Sequence, residues 1–213
     1  MTGCCDPNGY DAIFGARFAR RVAHKYRKRG LDRTSRRIVD FLLERGIRDA
    51  TVLEIGGGVG EIQVELLRHG ATHATNLEIA TGYEAEASRL LEHAGVAGRV
   101  TRRHVDIATA PEAVEPADVV VLHRVVCCYP DYERLLTAAA SHARRLLVFS
   151  HPPRNVVSRA FLWLQNGALR VAGKTFQAFA HPPEAMVGVL REQGLTVRYR
   201  RDGLVWHVVG LER

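Results

Sequence analysis

The sequence predicts an α/β fold: a doubly wound, mostly parallel sheet of seven strands with helices on both faces, closed by an antiparallel C-terminal hairpin. Three observations predict it. From Thr51 onward, short β-branched runs alternate with amphipathic runs of helical length, the pattern of a parallel sheet covered on both sides. The first of these runs breaks into glycines and opens a helix. Near the C-terminus, Asp202-Gly203 separates two strand-like runs, a strong hairpin signal.

The N-terminal elements are basic. Gly3, Asp6, Pro7, Asn8 and Gly9 are turn formers, so residues 1–9 read as flexible. Phe14, Phe18, Val22 and Tyr26 then make an apolar stripe on a helix otherwise filled by Arg17, Arg20, Arg21, Lys25, Arg27, Lys28 and Arg29, which Gly30 ends. A second helix starts near Asp32, with Ile38, Phe41 and Leu42 opposite Arg33, Arg36 and Arg37, and stops at Gly46. Such a segment is a solvated face or an interfacial helix on an acidic membrane.

The core elements follow in order. Thr51 to Ile55 is a buried strand, and the helix opening near Gly60 runs to about His69. A strand at 72–79, a helix at about 82–94 and a strand from Val100 to Asp106 come next. Asp118 to His123 is the fourth strand, Asp131 to His142 a helix, and Arg145 to Ser150 the fifth strand. A long helix covers Val156 to Val171, and Pro182-Pro183-Glu184 starts another. The hairpin strands are Thr196 to Arg201 and Leu204 to Leu211. The 213 residues form one domain, with residues 1–46 as the basic helices and residues 47–213 as the α/β core.

Composition bounds the partners. Charged residues are 25% and the net charge is +7, which suits an anionic partner. Only Lys25, Lys28 and Lys174 are lysines, however, and an arginine bias of this kind can follow from coding composition rather than binding. The start of the chain lacks a basic stretch followed by an apolar one, and no run reaches the length of a bilayer span. A cytoplasmic protein with reduced cysteines is expected.

The chemistry starts at Glu54-Ile55-Gly56-Gly57-Gly58-Val59-Gly60-Glu61. Glycines let a ligand pass close over the backbone, and the helix N-terminus offers free N–H groups to it. Counted from Gly56, the last glycine of a dinucleotide fingerprint falls on Glu61, where a carboxylate would face a pyrophosphate. No Lys-Ser or Lys-Thr follows, so a phosphate loop is excluded. The spacing E-x-G-x-G-x-G resembles the first motif of the class I S-adenosylmethionine-dependent methyltransferases. A helix N-terminus suits that ligand's carboxylate, and Glu54 suits its ammonium and sulfonium.

The resemblance extends downstream. Glu78, in Thr75-Asn76-Leu77-Glu78-Ile79, sits eighteen residues after Gly60 and matches the family's ribose-hydroxyl ligand. Asp106-Ile107 matches the acid at the adenine amino group and the apolar residue beside the ring. The cofactor site implied is therefore Glu54, Gly56, Gly57, Gly58, Gly60, Glu78, Ile79, Asp106, Ile107 and His123, the last through its backbone. The resemblance also implies that the N-terminal helices form a lid, with Tyr10 and Tyr26 as ligand contacts. Val126 and Cys128 stand where related enzymes carry the Leu and His of Leu-x-His-x-Pro-Asp, so no histidine role falls on position 128. The Asn/Asp-Pro-Pro-Tyr motif of base-amino methyltransferases is absent, which argues against a nucleic-acid acceptor.

The activity implied is methyl transfer from S-adenosylmethionine to a small molecule, with S-adenosylhomocysteine as product and oxygen as the expected acceptor atom. A further, weaker resemblance is to the magnesium-protoporphyrin O-methyltransferases, resting on Tyr26 to Arg37 and Tyr129-Pro130. His123, His151 and Tyr129 are the candidate catalytic residues, with His181 a further candidate; Arg124 and Arg154 could hold an anionic substrate. The cysteines form two adjacent pairs, Cys4-Cys5 and Cys127-Cys128, without zinc spacing, so no metal site is expected. Their pairing keeps open a non-catalytic metal or redox sensor, or methylation of a metalloid. The basic helices allow weak contact with a membrane surface, and the oligomeric state is monomer or homodimer.

Overall fold

The computed structural model describes residues 9–213; the Cys4-Cys5 pair and the turn-rich start lie outside the described residues. The sheet contains β1 (Thr51–Ile55), β2 (His73–Leu77), β3 (Val100–Arg103), β4 (Ala117–Leu122), β5 (Ala143–His151), β6 (Thr196–Arg201) and β7 (His207–Glu212), in the order β3-β2-β1-β4-β5-β7-β6. The first five strands are parallel, and β7 lies antiparallel between β5 and β6. The order reverses between β1 and β4, which opens a crevice beyond their carboxyl ends.

The helices are α1 (Ala16–Arg29), α2 (Arg33–Glu44), α3 (Glu61–Arg68), α4 (Glu84–His93), α5 (Tyr132–Ser141), α6 (Val156–Val171) and α7 (Pro183–Glu192). Side chains alternate along the strands and build two cores. Val52, Val119, Val121, Leu146 and Val148 meet α2, α3 and α4 on one face. Leu53, Val120, Leu122, Leu147 and Phe149 meet α5 and α7 on the other.

The N-terminal helices divide in role. Asp32 caps α2, its carboxylate accepting the Thr34 and Ser35 N–H groups at 2.9 and 3.0 Å. Ile38, Phe41 and Leu42 of α2 are then buried in the main core, so this helix is part of the sheet's covering layer. Only α1 and the segment before it reach the crevice.

Two expected boundaries shift. β3 ends at Arg103, leaving Asp106 in the following loop. The hairpin turn is wider than Asp202-Gly203 predicts: β7 begins at His207, and Leu204 and Val205 are exposed. Gly203 does not adopt the left-handed backbone of a two-residue turn, and lies instead against the Trp206 carbonyl, where a Cβ would come within 2.5 Å. Gly210 serves packing. A Cβ there would come within 2.5 Å of the Phe41 ring, which stacks on Tyr199 at 5.0 Å. Gly210→Ala should therefore lower unfolding stability by about 1–3 kcal/mol through overpacking. Urea denaturation tests this, and an unchanged midpoint would contradict the packing role.

Candidate functional site

The crevice is a cleft of about 180 Å³ bounded by the glycine loop, the ends of β2 and β4, the loop after β3 and the first turns of α1. The glycine loop forms one wall. Gly56, Gly58 and Gly60 have φ of 62°, 54° and 86°, the left-handed region that favours glycine. A Cβ on Gly56 would come within 2.4 Å of Val125, and one on Gly57 within 2.3 Å of Asn76. The loop is tied to β2: the Gly56 N–H donates to the Leu77 carbonyl at 2.7 Å and the Gly58 N–H to Glu78 at 2.8 Å. The other Glu78 oxygen accepts the Ala80 N–H at 2.8 Å.

Beneath the loop, Glu54 is buried and its Oε2 has no hydrogen-bond partner. Burial pushes its carboxyl well above the usual range, and the neighbouring Glu61 carboxylate adds to the effect. Burial raises Glu61 as well. Both line the cleft, which thus concentrates carboxyl groups in a protein of net charge +7. A buried carboxylate with a bare oxygen fits a cationic group and opposes a phosphate.

At the far end of the cleft, Asp106 accepts the Ala108 N–H at 3.0 Å and the Tyr129 hydroxyl at 2.8 Å. Burial and the Asp106 carboxylate push the Tyr129 phenol far above its ordinary range. Ile79 and Ile107 supply apolar wall nearby. Phe14, just before α1, and Phe18 and Val22 of α1 close the top, with Phe14 against Tyr83 (6.4 Å) and Phe176 (5.5 Å). Tyr10 also lines the cleft, its hydroxyl donating to the Cys128 carbonyl at 3.0 Å.

His123 is held at both ring nitrogens. Nε2 lies 3.2 Å from the Ser35 hydroxyl and Nδ1 3.0 Å from the Ser150 hydroxyl. Ser35 Oγ donates to Asp32 at 3.3 Å, so it accepts from His123 Nε2–H; Nδ1 of the neutral ring then accepts from the Ser150 hydroxyl, whose oxygen also accepts the Arg124 N–H. This network assigns the Nε2–H tautomer. Burial and the adjacent Arg124 push the imidazole down to about 3.

Arg124 adopts a left-handed backbone (φ 61°) at the cleft wall. Its guanidinium pairs with Asp32 at 2.6 Å and lies over the Trp206 ring at 5.3 Å, while its buried Nε has no partner.

Of the residues singled out from the sequence, Glu54, Gly56, Gly57, Gly58, Glu78, Ile79, Asp106, Ile107, His123 and Tyr129 come together around the cleft. Gly60 sits one turn back, as the left-handed cap of α3. His151 lies outside the cleft: it ends β5, is buried, has Nδ1 2.9 Å from the Pro152 carbonyl and packs on Phe149 and His207. His181 also lies outside, with Nε2 2.9 Å from the Tyr129 carbonyl. Tyr26 does not reach the cleft, because its hydroxyl is bonded to Glu65 on α3. Arg154 is exposed and outside it. Cys127 and Cys128 have their sulfurs 3.6 Å apart, and only Cys128 lines the cleft. Among the described residues no group of three or more ligating side chains could hold a metal ion. Tyr83, Ser35 and Ser150 were invisible from the sequence, since no motif marks them.

A family profile described as a methyltransferase domain matches residues 22–199. No curated protein matches the sequence significantly. Solved structures with a similar fold include magnesium protoporphyrin IX methyltransferase from Synechocystis PCC 6803 with bound SAH (TM-score 0.70, 19% identity, covering 91% of this chain and 84% of that one). An O-methyltransferase family protein from Burkholderia thailandensis superposes with TM-score 0.72 at 20% identity, covering 97% of this chain and 63% of that one. An O-methyltransferase family 2 protein from Planctomyces limnophilus, in complex with apigenin, gives TM-score 0.67 at 19% identity, covering 92% and 61%.

The state of His123 is directly measurable. Its ring nitrogen shifts should keep the neutral Nε2–H pattern from pH 8 down to about 4 in nitrogen-15 NMR, because its folded value is about 3. Titration near the ordinary histidine value of about 6.5 would contradict the network.

Proposed function

Because the chain belongs to the S-adenosylmethionine-dependent methyltransferases, we propose that it methylates an oxygen atom of a small, largely apolar, anionic acceptor. The observation that carries this reading is the buried Glu54 carboxylate with its bare Oε2 on the cleft. Glu54 suits the ammonium and sulfonium of the cofactor, with Glu61 adding to the field. Gly56, Gly57 and Gly58 allow close backbone approach. Glu78 has lone pairs left for ribose hydroxyls beyond its two backbone donors. Asp106, fixed by Tyr129, suits the adenine amino group, with Ile79 and Ile107 beside the ring. The cofactor supplies a methyl carbon already activated by its sulfonium, so the protein's main task is alignment.

The acceptor side follows from what the cleft residues can and cannot do. His123 has both nitrogens engaged and stays neutral, and the Tyr129 hydroxyl is committed to Asp106. Neither is poised to take a proton at neutral pH. An acceptor oxygen that arrives ionised needs no such base. Arg124 offers a cationic group at the cleft wall, with Nε unpaired, and Phe14, Phe18 and Val22 offer an apolar cover as a lid. His123 and Tyr129 act as positioning residues in this reading, which gives no part to His151, packed outside the cleft. The likeness to structures of O-methyltransferase family proteins supports oxygen as the acceptor.

Methyl-labelled cofactor should pass label to aromatic carboxylates rather than to amines or thiols of the same skeleton; label confined to amines or thiols would overturn the oxygen assignment. Arg124→Leu should raise KM for an anionic acceptor about tenfold or more while changing the cofactor Kd less than about twofold. Glu54→Gln should weaken cofactor binding about 10- to 100-fold in calorimetry. Unchanged affinity would remove Glu54 from the site.

A further inference from the structure

Helix α6 is docked on the protein by one stripe and bare on the other side. Ser158, Leu162, Gln165, Asn166 and Leu169 face inward, with Leu162 and Leu169 packed on the core. The Asn166 amide both donates to and accepts from the Ala178 backbone at 2.9 Å, and Lys174 Nζ donates to the Ala12 carbonyl at 3.0 Å. The outward arc carries Val157, Phe161, Trp163, Leu164 and Val171, which are between 62 and 92% exposed. No charged side chain interrupts that arc; at 100° per residue, Arg159 and Arg170 fall together along its edge, next to Trp163.

We propose that this face of α6 seats the protein on an anionic lipid surface. A broad apolar arc with tryptophan and arginine at its border is the build of a helix lying in a membrane interface. Charge selects this occupant. Residues 152–183 contain Arg154, Arg159, Arg170 and Lys174 and no acidic residue. A second copy laid on the same face would bring its own arginines against these, whereas acidic head groups complement them. A neighbouring element extends the surface. β5 ends at His151, which pairs with His207, so the loop bearing the exposed Leu204 and Val205 leaves the sheet beside the start of α6. Both leave at the carboxyl edge, where the cleft opens, and Phe176, just after α6, packs on Tyr10 and Phe14 of the cleft wall. An apolar acceptor dissolved in the bilayer would therefore lie close to the cleft; this consequence rests on the methyl-transfer reading, and the docking itself does not. No helix among the described residues is long and apolar enough to cross a membrane, so the contact is interfacial.

The test is cosedimentation of the full chain with vesicles of phosphatidylcholine alone or mixed with phosphatidylserine. Retention on the mixed vesicles should exceed that on phosphatidylcholine. With Trp206→Phe, leaving Trp163 as the single tryptophan, the mixed vesicles should shift emission to the blue. Phe161→Glu and Leu164→Glu should each reduce retention about tenfold or more. Arg159→Glu/Arg170→Glu should remove the preference for phosphatidylserine. Circular dichroism and calorimetry with S-adenosylmethionine should stay unchanged in the Phe161, Leu164 and Arg159/Arg170 variants, because these side chains are exposed and outside the cleft lining. Equal retention on both vesicle types, unchanged retention of Leu164→Glu, or a lipid-free dimer that Leu164→Glu dissociates would overturn the proposal.

Discussion

The structure depends on a stretch of backbone that has no space for side chains. The loop after β1 is pressed between Asn76 below, Val125 beside and Tyr83 above, and three glycines in left-handed conformations let it pass. Three strands hold it there. β2 and the residue after it supply the Leu77 carbonyl and the Glu78 carboxylate as acceptors for its N–H groups. β4 runs into Arg124, whose own left-handed backbone turns Val125 toward Gly56. β5 supplies Ser150, whose hydroxyl oxygen fixes the Arg124 N–H. The cleft is thus the meeting point of strands whose order reverses between β1 and β4.

Electrostatics give the cleft its selectivity. The surface is dominated by arginine, yet Glu54, Glu61, Glu78 and Asp106 all line one cleft. Glu78 and Asp106 are neutralised in part by backbone and hydroxyl donors. Glu54 keeps an oxygen bare, in a place where an uncompensated charge is costly. Arg124 offsets this field only locally, because Asp32 already pairs with it and also caps α2. In the proposed reading, positive ligand charge and negative acceptor charge are sorted to different walls.

Much of this was legible in the residues. The glycine spacing, Glu78 and Asp106 are local signals at strand ends, and alternation along β1, β4 and β5 reflects burial on two faces. What escaped the sequence depends on contacts distant in the chain. Ser35 and Ser150 lock His123 across 88 and 27 residues, and no local pattern announces them. Tyr26 reads like a lid residue but is drawn to Glu65, and His151 sits at a strand end yet turns into the β5–β7 pairing. Asp202-Gly203 signals a tight turn, but the packing of Gly203 against the Trp206 carbonyl widens it. Helix α2 shares the basic face of α1, and its apolar side placed it in the core rather than over the cleft.

The central claim is that Glu54, a buried carboxyl with one oxygen bare, receives a cationic ligand. Burial raises this carboxyl well above the usual range, and a bound cation favours the ionised form, so binding displaces protons and tightens as pH rises. Calorimetric titration with S-adenosylmethionine in buffers of different ionisation enthalpy measures this directly. The account predicts net proton release; heats that are the same in every buffer, or proton uptake, would contradict it.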